Sequence, residues 1–75
     1  MLQDAATIRH YQILTDRFVT LWNQGYRQDD LRLYLDGYLN ALKQGNVIEP
    51  ILVHRLEEEV WRFLNDPSNF EMSYY

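Results

Sequence analysis

The sequence predicts an all-α protein, a small antiparallel three-helix bundle followed by a short aromatic C-terminal tail. Three segments place apolar residues on one face at the 3.6-residue period of a helix. No segment alternates apolar and polar residues as a half-buried strand does. The linkers between the segments are short, which favours antiparallel neighbours. We therefore divide the 75 residues into a three-helix bundle over 1–66 and a tail over 67–75.

The first helix is predicted over residues 5–24, with Asp4 or Thr7 as its N-terminal cap. Gly25 suits the left-handed conformation that ends many helices. On a helical wheel, seven apolar residues of this segment fall within an arc of about 160°. They are Ile8, Tyr11, Leu14, Phe18, Val19, Leu21 and Trp22.

The second helix is predicted over residues 28–44 and is expected to end at Gly45. With Arg27 as the N-cap, Asp29 and Asp30 lie in the first turn, where carboxylates interact favourably with the helix dipole. Arg27 is a poor capping residue, so a register displaced by one residue stays open. The apolar face consists of Leu31, Tyr34, Leu35, Tyr38, Leu39, Ala41 and Leu42.

The third helix is predicted over residues 50–65. Pro50 fits the first helical position, where its missing N–H costs nothing, and Pro67 pushes Asp66 out of the helical region. The tail that follows is too short and too mixed in composition for another stable helix. The apolar face consists of Leu52, Val53, Leu56, Val60, Phe63 and Leu64. Across the bundle we expect Phe18, Tyr38 and Leu56 to be among the buried residues.

Gly37 interrupts the second helix, where glycine costs about 1 kcal/mol relative to alanine. Our first interpretation is that another backbone packs closely against it within the bundle. On that interpretation Gly37→Leu destabilises the fold. The alternatives are that Gly37 contacts a partner or that it has no role.

Composition excludes several functions. Seven Lys and Arg against eleven Asp and Glu give a net charge of -4, and no basic cluster exists that would bind nucleic acid or an anionic membrane surface. No apolar run approaches the roughly 18 residues of a membrane span, and no signal peptide is recognisable. The expected location is the cytoplasm. The chain contains no cysteine, which rules out disulfides and thiolate metal sites.

Enzymatic activity is not expected. The sequence has neither a cysteine nucleophile nor a glycine-rich phosphate loop, and Ser68 and Ser73 lie in the tail without a nucleophile motif around them. His54 and Glu58 are one helical turn apart and could share a metal ion, but they equally fit a surface hydrogen-bonded pair. No third ligand is evident, so no cofactor or metal is predicted. A small metal- or ligand-binding protein, and less favoured a small enzyme, stay as alternatives.

The aromatic residues are the best functional lead, at 15% of the chain. Trp61 falls beyond the edge of the core face of the third helix, and Ile13, Leu33 and Ile51 also fall outside their faces. Contiguous exposed aromatic residues mark interfaces. The sequence therefore predicts a protein-interaction module that forms a homodimer or binds an unidentified protein. The alternative is a monomer in which the tail covers Trp61. The candidate interface residues are Trp61, Phe70, Tyr74 and Tyr75.

Several motifs are spread over nearly the whole chain. The most distinctive is Tyr34-Leu35-Asp36-Gly37-Tyr38; others are Leu21-Trp22-Asn23-Gln24-Gly25-Tyr26, Asp29-Asp30-Leu31-Arg32, Ile48-Glu49-Pro50, His54-Arg55-Leu56-Glu57-Glu58-Glu59 and Asp66-Pro67-Ser68-Asn69-Phe70. Together they resemble a family of short cyanobacterial proteins of unknown function. The resemblance implies a cytoplasmic setting, with photosynthesis as a candidate process. It implies no activity and no site residues.

Overall fold

Four helices make up the computed structural model, which describes residues 2–71. The first three pack against one another as an all-α three-helix bundle, and the described part of the chain contains no strand. This confirms the predicted fold class, and the predicted bounds of the three long helices agree with the structure to within one residue. The helices are α1 (Ala5–Asn23), α2 (Gln28–Gln44), α3 (Pro50–Leu64) and α4 (Ser68–Glu71).

A single apolar cluster holds the bundle together, with side chains from all four helices. Phe18 and Leu56 are fully buried, as predicted. The prediction of a buried Tyr38 is wrong, because Tyr38 is half-buried and its hydroxyl lies 2.8 Å from His10 Nδ1. The buried apolar residues are Leu14, Phe18, Leu31, Leu35, Leu39, Leu42, Val53, Leu56, Val60, Leu64 and Phe70.

The start of α1 is capped by Asp4, one of the two predicted candidates. The Asp4 carboxylate accepts a hydrogen bond from the Thr7 backbone N–H at 3.1 Å, and the Thr7 hydroxyl donates to the Asp4 carbonyl at 2.9 Å. Thr7 is buried, so its hydroxyl needs this partner inside the fold.

The junction between α1 and α2 is a tight reversal around Gly25. Gly25 has φ +104°, and the Tyr26 backbone N–H donates to the Leu21 carbonyl at 3.1 Å, the hydrogen bond of a Schellman motif. Arg27 is the N-cap of α2, which confirms the predicted register. The Arg27 backbone N–H donates to the Asp30 carboxylate at 3.0 Å, which is the bond that the N3 side chain makes in a capping box.

The junction between α2 and α3 repeats this geometry with a different residue in the left-handed position. Gly45 ends α2, as predicted, but with φ -84°, and Asn46 has φ 51°. The Val47 backbone N–H donates to the Leu42 carbonyl at 3.1 Å. Asparagine is the residue after glycine that best tolerates this conformation.

The short helix α4 was not predicted, since four residues show no helical period. The Asp66 carboxylate begins it by accepting the Ser68 backbone N–H at 3.1 Å and the Ser68 hydroxyl at 2.7 Å. The Asn69 side-chain amide donates to the Phe63 carbonyl at 2.8 Å, and Phe70 enters the core. Tertiary contacts therefore hold α4 against the bundle.

Candidate protein-interaction surface

The groove between α1 and α3 is filled by aromatic rings from this chain, and we call it the closed groove. Ring centroids are 6.4 Å apart for Tyr11 and Phe63, 5.6 Å for Phe63 and Phe70, and 4.8 Å for Phe70 and Trp22. The Arg27 guanidinium lies 4.3 Å from the Trp22 ring centroid, within cation–π distance. Each ring of the closed groove thus packs against another ring of this chain.

Two of the four candidate interface residues can be placed within the described chain. Phe70 lies buried within this chain at 5% exposure, and its contact with another chain stays a prediction. The predicted tail includes α4, and the sequence does not show that this helix folds back onto Trp22. Tyr74 and Tyr75 lie outside the described residues, so their assignment stays a prediction.

Trp61 is half-buried and is covered on one side by α2. The Arg32 guanidinium lies 4.9 Å from the Trp61 ring centroid. Arginine side chains commonly cover apolar surface in this way while their charge stays in water. Part of the cover on Trp61 thus comes from a helix of the bundle, and its role at an interface stays a prediction.

His54 and Glu58 lie side by side on the outer surface of α3. Their Nε2 and Oε1 atoms are 3.8 Å apart, and the side chains are 66% and 59% exposed. Within the part of the chain that the structure describes, no cluster of three His, Asp or Glu side chains could hold a metal ion. The described residues therefore give the metal-binding alternative a pair without a third ligand.

The groove between α1 and α2 contains a cleft of about 330 Å³ that opens to solvent. Leu33 is 73% exposed at its edge and Tyr26 is 47% exposed, while Leu21 and Tyr34 are half-buried. Contiguous exposed apolar surface rimmed by polar residues is what marks an interaction site. The lining residues are Leu21, Tyr26, Asp30, Leu33 and Tyr34.

This apolar surface continues along both helices away from the cleft. On α1, Ile13, Arg17 and Leu21 follow one another at four-residue spacing and so lie on one side of the helix. On α2, Leu33 is followed at the same spacing by Gly37 and Ala41, both exposed. We call this surface the α1–α2 face. It consists of Ile13, Arg17, Leu21, Tyr26, Asp30, Leu33, Tyr34, Gly37 and Ala41.

Gly37 corrects the first sequence-based interpretation. A Cβ atom built on Gly37 would meet no other atom within 4 Å, and the residue is exposed. No backbone of this chain packs against it, so close packing within the bundle is wrong. The glycine instead leaves a shallow position in the middle of the α1–α2 face.

One tyrosine on each groove has a raised pKa. Burial, and secondarily the charge of Glu59, raises the pKa of Tyr11. Burial, and secondarily Tyr34, raises the pKa of Tyr38. The Tyr38 hydroxyl lies 2.8 Å from His10 Nδ1, and its raised pKa keeps it protonated beyond the pH at which a free tyrosine ionises.

Comparison with known proteins places the chain in a family. A family model described as a family of unknown function (DUF6761) matches residues 1–75. The chain belongs to the DUF6761 family. No curated protein and no solved structure matches it. The family assignment thus agrees with the resemblance to a family of unknown function. The function of this DUF6761 member is therefore inferred from its own geometry.

Membrane insertion by a helix finds no support in this DUF6761 member. Among the helices within residues 2–71, none combines the length and the apolar character that a membrane span requires.

Proposed function

We propose that this DUF6761 member is a small acidic helical protein-interaction module that binds its partner through the α1–α2 face. The proposal includes a non-enzymatic role in the cytoplasm. The observation that carries it is the open cleft in which Leu33 is 73% exposed beside half-buried Leu21 and Tyr34. The resemblance of its motifs to short cyanobacterial proteins supports a cyanobacterial setting as part of the same proposal.

The chemistry of the α1–α2 face favours a protein ligand. Burying a leucine side chain on binding contributes about 1.5–3 kcal/mol. Tyrosine is among the residues that most often contribute strongly to interface energy, and Tyr26 stands at one end of the cleft. Few charges interrupt the face, since Arg17 and Asp30 are its only ionised residues. A surface with an apolar centre and polar edges is typical of protein interfaces.

The position of the face on the fold supports the same conclusion. The bundle's core is already filled by four helices, so Leu33 adds nothing to it. Sequence reasoning identified Leu33 and Ile13 as residues outside their helix faces. It did not join them, because the sequence does not show which sides of α1 and α2 are adjacent.

A capture experiment with two matched variants tests the proposal. Immobilised parent, Leu33→Asp and Ile51→Asp chains are incubated with lysate of the source organism. Ile51 is the control because it is also exposed, at 54%, but lies on α3. We expect the parent and Ile51→Asp to retain the same protein. Leu33→Asp should retain at least about tenfold less, because loss of an interface hot spot costs 2 kcal/mol or more.

Two results would count against the proposal. One is equal capture by all three chains, which would separate binding from Leu33. The other is equal loss in both variants, which would show a general effect of an added carboxylate. Circular dichroism of each variant checks that the helices are intact.

A further inference from the structure

We propose that the α1–α2 face binds a second copy of this chain, forming a two-fold symmetric dimer in which α1 of each molecule lies against α2 of the other. The inference rests on the proposed function, because it uses the same face and names its partner. It differs from the dimer predicted from sequence, which was built on Trp61 and the tail.

Charge is distributed asymmetrically over the face. Its α1 edge has Arg17 between Ile13 and Leu21, and its α2 edge has Asp30 beside Leu33. One edge is therefore positive and the other negative. In a two-fold interface the same patch meets itself, so each contact occurs twice.

Only one of the two simple arrangements matches these charges. If α1 lies against α2 of the other molecule, Arg17 of each copy faces the edge that contains Asp30 of the other. If α1 lies against α1, like charges face each other, which disfavours association. A partner of a single charge sign would leave one edge of the face unmatched. A second copy of the chain matches both edges.

At the centre of the face, α2 presents a shallow surface. Gly37 and Ala41 are exposed and four residues apart, so they form a shallow strip along the helix. Space for a Cβ at Gly37 is empty to at least 4 Å. A helix of another molecule can approach closely at such a strip, and a side chain such as Ile13, 41% exposed, can pack into it.

The net charge of the chain opposes association, whereas its small size favours it. The net charge of -4 repels a second copy, but at physiological salt this repulsion is screened over about 8 Å. The chain is small and has no disulfide, and small domains often gain stability by self-association. We therefore expect a weak dimer, with a dissociation constant on the order of 10–100 µM.

Charge reversal in two separate chains tests the two-fold arrangement. Sedimentation equilibrium is measured for the parent, for Arg17→Glu, for Asp30→Lys, and for an equimolar mixture of the two variants. In each variant alone, like charges face each other twice, and we expect dimerisation to weaken at least about tenfold. In the mixed dimer both contacts are again between opposite charges, so we expect association within about threefold of the parent.

Asp30→Lys also removes the hydrogen bond to the Arg27 backbone N–H, so this variant is less stable alone. The mixture controls for that effect, because a destabilised monomer cannot account for restored association. Gly37→Leu provides an independent variant without a charge change. We expect it to keep the helical fold, since the position is open, and to lose dimerisation.

Three results would overturn the dimer: a parent that is monomeric at about 300 µM, which is above the expected dissociation constant; a dimer unaffected by both charge reversals; or a mixture no stronger than its components. A monomeric parent whose lysate capture still depends on Leu33 would overturn the dimer and leave the interaction surface in place. If Leu33→Asp changes neither capture nor dimerisation, both proposals are wrong.

Discussion

The two grooves beside α1 differ in what covers them. On one side of the helix, Tyr11 and Trp22 pack into the closed groove, where ring centroids lie 4.8–6.4 Å apart. On the other side, Leu21 borders an open cleft of about 330 Å³. The same helix therefore has one apolar side satisfied within the chain and another that is not.

The difference follows from the path of the chain. After α3 the backbone turns at Asp66 and Pro67, and α4 places Phe70 over Trp22 and Phe63. Within the described residues no segment returns over the groove between α1 and α2. Helical periodicity thus identifies the apolar faces, whereas the path of the chain decides which of them stays exposed.

Removing the ring that covers the closed groove should have the largest effect. We expect Phe70→Ala to lower the free energy of unfolding by about 3 kcal/mol, because a buried aromatic side chain is replaced by a cavity. Urea unfolding of the variant measures this. Ile51→Ala, at an exposed site, is the control and should change stability by less than about 0.5 kcal/mol. Equal midpoints for the two variants would show that Phe70 does not close the groove.

The turn that positions Tyr26 beside the open groove should be the next most sensitive. Gly25 has φ +104°, so we expect Gly25→Ala to cost about 1–2 kcal/mol. Asn46→Gly, at the equivalent turn after α2, should change stability by only a few tenths of a kcal/mol, because glycine accepts φ > 0 freely. Thermal melts of both variants are compared. A larger loss for Asn46→Gly than for Gly25→Ala would contradict the assigned turn geometry.

Gly37 lies on the α1–α2 face, the side of the bundle that the chain leaves uncovered. We expect Gly37→Ala to raise the free energy of unfolding by about 0.5–1 kcal/mol at low protein concentration, since alanine is the better helix former and its Cβ meets nothing. Differential scanning calorimetry at micromolar concentration measures the gain. A destabilised Gly37→Ala variant would restore close packing within the bundle as the explanation for this glycine.

The tyrosines that flank the two grooves predict a small loss of stability at high pH. Their pKa values are raised above 10.0 by burial, so the folded state keeps its phenolic protons at pH values where the unfolded state begins to lose them. The free energy of unfolding should therefore be unaffected by these groups below pH 10 and fall above it. Urea unfolding at pH 9 and about pH 11 tests this, and Tyr38→Phe should reduce the decrease. A stability that rises with pH in this range would contradict the direction.

Much of the fold could be predicted because its boundaries depend on local chemistry. Gly25 ends α1 and Pro50 begins α3, and both act as the sequence indicates. The surroundings of Phe70 and Gly37 could not be predicted, because they depend on residues far along the chain. The sequence around Phe70 does not show that this ring packs on Trp22. The sequence around Gly37 does not show that the space beside it is empty.

The candidate surface was only partly recognisable from the sequence. Leu33 and Ile13 stood out as apolar residues on polar sides of their helices, and both are exposed. Their union into one face with Gly37 and Ala41 depends on how α1 and α2 are rotated about their axes. That rotation is set by packing in the core, for example by Phe18 against Tyr34, which periodicity alone does not specify.

Thiol reactivity at single introduced cysteines tests most directly whether a second copy of this chain covers the α1–α2 face. The chain has no cysteine of its own, so Ala41→Cys on the face and Ile51→Cys on the exposed side of α3 each give one signal. Both are measured over a series of protein concentrations with the same thiol reagent. We predict similar labelling rates at about 1 µM, and at about 300 µM a several-fold slower rate for Ala41→Cys alone, because dimerisation covers that site. Equal rates for the two positions at every concentration would contradict dimerisation through the α1–α2 face.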